Sequence, residues 1–227
     1  MANEDLKKEF IKEVRAAAKC RFAADVFADM VRAMAVSLES ALATGERRDR
    51  LELEYEQIKG RYDADEFAHF PNALGIVVEA LERHREDFLG HSLEEIGAAN
   101  THNGQFLTPV SVSRMMARLI CGKPADYAPG KIVTMNDPAC GSSVLLIEGA
   151  EAMLADGVRQ SDILLVAGDI DGRACDISYV QLTLLGYAAV VQHMNALSMK
   201  RISDDRFTAG YFLHGMPMRN AARREVA

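Results

Sequence analysis

The sequence predicts an α/β protein in which a helical N-terminal region precedes a short parallel sheet. Three observations carry this. Over residues 1–100 apolar side chains recur at helical spacing. Over residues 101–227 short apolar runs of strand type alternate with helical stretches, in the order β-α-β-α-β. Each strand run also closes on a polar or small-residue turn, where the ligands of open α/β sheets bind.

In the first region Phe10, Val14 and Ala18 mark one helix, and Phe27, Val31, Met34, Leu38 and Leu42 a second. Gly45 is expected to end that run, with GERRDR (45–50) as a polar turn. Leu51, Tyr55 and Ile58 carry the period on to Gly60. RYDADEFAHFP reads as a connection, after which Pro71 is expected to open a helix closed by Gly90. Ser92 with Glu95 suggests a capping box for a short helix at 93–98.

In the second region Thr108 and Pro109 suit the N-cap and first position of a helix through SVSRMMARLI. KIVTMN is the first strand, SVLLIEGAEAML a helix, DILLVAGDI the second strand, GRACDISYVQLTLLG a helix and AAVVQHMNAL the third strand. A fourth strand is expected at AGYFLH.

Composition narrows the class. The 227 residues are 49% apolar and 26% charged, which is the balance of a globular protein. No apolar run is long enough for a membrane span, and the polar start MANEDLKKEF is unlike a signal peptide. Cys20, Cys121, Cys140 and Cys175 lie far apart without a CxxC, which argues against a zinc site and for a reducing cytoplasm. No histidine has metal-ligand spacing. The net charge of −7 arises within residues 1–103, with 14 basic and 21 acidic residues, whereas residues 200–227 carry 6 against 3. A tight non-specific nucleic-acid binder usually has a basic surplus, so any contact with DNA is expected to be local or shared with a partner.

The candidate site lies at the three strand ends. After the first strand come Asp137-Pro138-Ala139-Cys140-Gly141-Ser142-Ser143, small residues that let a ligand approach the backbone at a helix start. Alone, this is equally a plain tight turn. After the second come Asp169-Ile170-Asp171, where a carboxylate can accept from both hydroxyls of a ribose. After the third come Asn195-Ala196-Leu197, where an amide can bond an adenine edge with both of its groups. Together they would surround an adenosine.

GQFLTP (104–109), DPACGSS (137–143), GDID (168–171) and NAL (195–197) stand in the order found in adenine-specific N6 DNA methyltransferases. Over about residues 86–200 the chain resembles the modification subunit of type I restriction systems. The resemblance implies a Rossmann-like S-adenosylmethionine-dependent methyltransferase fold with an abbreviated parallel sheet, and S-adenosylmethionine as cofactor. It places Gln105, Phe106, Thr108 and Pro109 at the methionine end of the cofactor. Asp137, Pro138, Ala139, Gly141 and Ser142 would hold the amino-acid moiety, Asp169 the ribose, Ile170 the adenine face, and Asn195 and Ala196 the adenine amine side. Ser143 departs from the glycine usual there.

A larger departure lies downstream. The family's Asn-Pro-Pro-aromatic loop, which holds a flipped-out base, is not in the sequence. At its expected distance stand His214, Pro217 and Asn220, the weak candidates for a catalytic role in what reads as an irregular, mildly basic tail. About thirty residues follow the third strand, room for at most one more, so the sheet is expected to leave an edge needing cover. The acidic helical region, a second copy of the chain or a restriction-modification protein partner would supply it. Two functions stand: a transferase acting on adenine N6 in DNA, and a cofactor-binding regulator or decoy of a restriction-modification system without catalysis. A different nucleotide binder on the same frame is weakened by the lack of GxGxxG.

Overall fold

The computed structural model describes residues 3–97, 108–121, 127 and 130–219. The chain divides into two compact units, Met1–Leu107 and Thr108–Ala227.

The first unit is helical: α1 (Glu4–Ala17), α2 (Ala23–Ser40), α3 (Gly45–Lys59), α4 (Ala64–Arg83) and α5 (Phe88–Ile96). Its centre is aromatic. Phe10 of α1 meets Phe27 of α2 and Phe88 of α5 edge to face, at centroid distances of 6.0 and 5.7 Å. Three local expectations are corrected. GERRDR is the first turn of α3, with Gly45 entering at positive φ. Pro71 lies inside α4, because Asp63 and Glu66 form a reciprocal capping box that starts the helix seven residues earlier. The cap of α5 is Asp87, whose carboxylate accepts from the Gly90 N–H, while Ser92 lies within the helix and donates to the Phe88 carbonyl.

The second unit is the α/β part. Its elements are α6 (Val110–Ile120), β1 (Val133–Asp137), α7 (Val144–Ala155), β2 (Ile163–Asp169), α8 (Gly172–Leu184), β3 (Ala188–Asn195), β4 (Lys200–Arg201), β5 (Arg206–Phe207) and α9 (Ala209–Leu213). β1, β2 and β3 are parallel and adjacent, Asp137 lying level with Ala167 and Asp169 with His193. This is a Rossmann-like α/β frame with an abbreviated parallel sheet. β2 is almost wholly buried and β3 is buried at half of its residues, the rest being partly covered.

AGYFLH is helix α9 rather than a strand. Gly210 explains it: a Cβ there would sit 2.4 Å from the Tyr187 carbonyl oxygen, so the segment lies across the start of β3. Instead of one further strand there are two two-residue strands, β4 and β5, both antiparallel to β3 and covering its outer edge. Among the described residues β1 pairs only with β2.

Candidate cofactor site

The loop after β1 is held from three sides. The Asp137 carboxylate accepts from the Ala139 N–H at 3.1 Å, which turns the chain out of the strand. The Cys140 N–H donates to the Gly168 carbonyl at 2.9 Å, tying the loop to the end of β2. Gly168 eases this approach, since a Cβ would lie 3.3 Å from the Pro138 Cα and push the loop outward by a few tenths of an ångström. From α8, the Ser178 hydroxyl donates to the Gly141 carbonyl at 3.0 Å and the Gln181 amide to the Ser142 carbonyl at 2.9 Å. Ser178 and Gln181 are wholly buried.

Gly141 and Ser143 both have positive φ, 54° and 70°. For Ser143 the left-handed conformation costs about 1 kcal/mol. Its hydroxyl donates to Ser178 at 2.7 Å and makes no capping bond to α7. Ser142 is buried, and its carbonyl is the group that Gln181 holds.

Asp169 faces this loop. One carboxylate oxygen accepts from the Gly141 N–H and the other from the Asp171 N–H, both at 2.9 Å. It is 8% exposed and therefore serves first as a brace between β2 and the loop. A carboxylate has about four acceptor positions, so each oxygen can take one further hydroxyl. Asp171 caps α8 by accepting from the Arg173 N–H at 2.9 Å. Ile170 between them is 60% exposed, an apolar surface next to the carboxylate.

At the end of β3 the Asn195 side-chain oxygen accepts from Leu197 and Ser198 N–H groups, each at 3.0 Å. The oxygen is committed to the turn, so only the amide NH₂ is left to face a ligand. The expected double contact becomes a single donor. Ala196 is half-buried beside it. His193, which sequence reading left as surface or ordinary packing, lies level with Asp169 and its Nε2 pairs with the Ile170 carbonyl at 3.1 Å.

The structure therefore brings Asp137 to Ser143, Asp169 to Asp171 and Asn195 to the carboxyl ends of three adjacent strands. Pro138 and Ala139 are exposed there. Thr108 and Pro109 are exposed at the start of α6, where Pro109 and not Thr108 is the N-cap. Gln105, Phe106 and Asn220 lie outside the described residues. His214 is not brought to the site. Its Nε2 pairs with the Gly186 carbonyl, before the start of β3, at 3.1 Å. Pro217 follows Met216, which packs on Leu164 and Ala188 at that same amino-terminal end. The strand separates these two residues from Asn195 by about 23 Å at 3.3 Å per residue. Arg219 is anchored there too, bonding Asp162 and the Gly130 carbonyl. The stretch from 209 to 219 is thus a packed strap across the amino-terminal end rather than an irregular tail.

The electrostatics of the site are acidic. Burial, with the neighbouring Asp169 charge, raises the Asp137 carboxyl above its ordinary value despite the Ala139 N–H. Burial pushes the Cys140 thiol up to about 12, so it is a packing residue and not a nucleophile. Two carboxylates beside exposed backbone and an apolar surface suit a ligand with a cationic end, a diol and a flat ring. Among the described residues no group of His, Cys, Asp and Glu could hold a metal ion.

Fold and site together define an α/β protein with a braced loop and two carboxylates at the strand ends. The N-6 DNA methylase family model matches residues 86–209, more than half of the chain. The chain belongs to that family. No curated protein matches it significantly. Among solved structures it is similar to a Listeria monocytogenes protein described as a class I S-adenosylmethionine-dependent methyltransferase. That alignment has 14% identity and a TM-score of 0.48, and covers 94% of this chain and 70% of the other.

Proposed function

We propose that the chain binds S-adenosylmethionine at the carboxyl ends of β1, β2 and β3 and takes part in methylation of adenine N6 in DNA. The observation that carries this is the braced loop Asp137–Ser143 facing Asp169, within a member of the N-6 DNA methylase family. The donor set fits the cofactor. Asp137 would pair with its ammonium, Asp169 would accept from the ribose hydroxyls, Ile170 would cover the adenine, and Asn195 would donate to the ring edge. When bound, S-adenosylmethionine supplies an activated methyl group. An exocyclic amine attacks such a methyl directly, so the task of the protein is placement and exclusion of water rather than covalent catalysis.

A specific observation favours a second reading, that of a cofactor-binding regulator. His214 and Pro217 lie at the opposite end of the sheet. Within the chain, no described residue takes the place of the amine-holding loop. A partner or second copy would complete the enzyme, and the outer edge of β1, unpaired among the described residues, supports such an association. The four free cysteines support a reducing compartment such as the cytoplasm. Among the described residues no helix is long and apolar enough to cross a membrane.

Transfer of a radiolabelled methyl group to adenine-containing duplex tests the enzymatic reading. Label in N6-methyladenine supports it. Cofactor binding without label, alone and with a restriction-modification partner, supports the regulator.

A further inference from the structure

The helical unit is acidic, and most of its basic side chains are spent on carboxylates. Lys7 reaches Glu95 at 2.9 Å, Lys19 reaches Asp63 at 2.9 Å and Arg61 reaches Asp29 at 2.8 Å. Lys8, Lys12 and Arg15 make no ion pair among the described residues, and all three are exposed. They stand at i, i+4 and i+7 of α1, on one face. At 1.5 Å per residue they span about 10 Å of helix. The three line one open groove of about 460 Å³, with Ile11 and Ala16 as its apolar wall. The acid at its rim, Glu95, pairs with Lys7 at 2.9 Å, a cation it shares with Glu4. The one other unpaired cation described in this unit, Arg50, lies on α3 and lines no part of the groove.

Unpaired, parallel cations along one helix face are the arrangement that takes a run of phosphates. Each such contact releases counterions, and this gives the affinity. Because the surrounding unit is acidic, the attraction is confined to this groove rather than spread over the surface. We infer that the α1 face carrying Lys8, Lys12 and Arg15 is the contact for the phosphodiester backbone of DNA. The inference rests on the DNA-directed reading above and gives that reading a surface. It also accounts for DNA contact by a chain whose net charge is −7.

The test is fluorescence anisotropy of a labelled duplex between 50 and 200 mM salt. It compares the full chain with the triple variant Lys8→Gln, Lys12→Gln, Arg15→Gln and with Arg50→Gln as control. With about 0.9 of slope in log K against log salt for each phosphate contact, the triple variant should lose roughly 2–3 of slope. Its affinity should fall at least tenfold at low salt, while Arg50→Gln behaves as wild type. A wild-type thermal unfolding curve by circular dichroism for the triple variant shows that its helical unit is intact. A triple variant with the wild-type slope overturns the inference and leaves the functional reading standing. Wild type that binds no DNA at 50 mM salt also overturns it. Loss of slope in a protein that transfers no methyl group keeps the contact and sinks the enzymatic reading instead.

Discussion

Gln181 touches no part of the proposed ligand, yet the site should depend on it. Its side chain is wholly buried in α8 and donates at 2.9 Å to the Ser142 carbonyl, in the middle of the loop that would hold the cofactor. Gln181→Leu keeps the volume, so no cavity term enters. It removes one hydrogen bond inside the protein and exposes the carbonyl to an apolar side chain, a cost of about 1–3 kcal/mol. For a chain of this size each kcal/mol lowers Tm by roughly 2–4 °C, so a fall of several degrees is expected. A looser loop should also weaken S-adenosylmethionine severalfold. Thr183→Val on the same helix is the control. The Thr183 hydroxyl is buried without a partner, so its removal should leave stability equal or higher. The assay is thermal unfolding by circular dichroism, followed by calorimetric titration of cofactor. Wild-type Tm and affinity in Gln181→Leu, or an equal loss in Thr183→Val, would refute the bracing role.

Other outcomes follow from the same geometry. Ser143→Gly relieves about 1 kcal/mol of left-handed strain but loses the bond to Ser178, so stability should change by less than about 1 kcal/mol in urea unfolding. A loss of several kcal/mol would mean the hydroxyl does more than the structure shows. The Asp137 carboxyl holds its proton to higher pH when folded than when unfolded. Its contribution to stability is therefore fully present below the ordinary carboxylate range and is lost as pH rises through the raised value. Asp137→Asn should accordingly be more stable than wild type at pH 7, but not at acid pH, and bind S-adenosylmethionine worse. Wild-type affinity should rise with pH over that range as the carboxylate ionises towards the cationic ligand, and a flat profile counts against the ammonium contact. At pH 8 iodoacetamide should label exposed Cys20 rapidly and leave Cys140 intact, because burial holds the Cys140 thiol at about 12. Mass spectrometry of the digests reads this directly.

The parallel core was legible because its signals are local. DILLVAGD and AAVVQHMN are short apolar runs ending in polar turns, and they form β2 and β3. The site loop was equally legible, since DPACGSS follows a strand and opens a helix. What failed depends on long-range packing. α9 is helical because Gly210 fits against the Tyr187 carbonyl, a contact made by residues 23 positions apart. Pro71 looked like a helix start because proline favours that position, but the capping box at Asp63 and Glu66 took it. Ser178 and Gln181 had a faint signal, two polar residues three apart on an otherwise apolar helix face. Only the fold shows that they reach the loop. His214 and Pro217 were matched by distance along the chain, and the strap carries them to the other end of the sheet.

The central claim is that the braced loop and Asp169 form an S-adenosylmethionine site. Calorimetric titration of the purified full chain tests it most directly, with Asp169→Asn and Ile170→Ala alongside. Wild type should bind one cofactor per chain at micromolar concentration. Asp169→Asn places an amide donor against a backbone N–H and should lose most of that affinity. Ile170→Ala, exposed and free of any structural bond through its side chain, should weaken binding severalfold without a change in Tm. No heat of binding up to millimolar cofactor in folded wild-type protein would contradict the account.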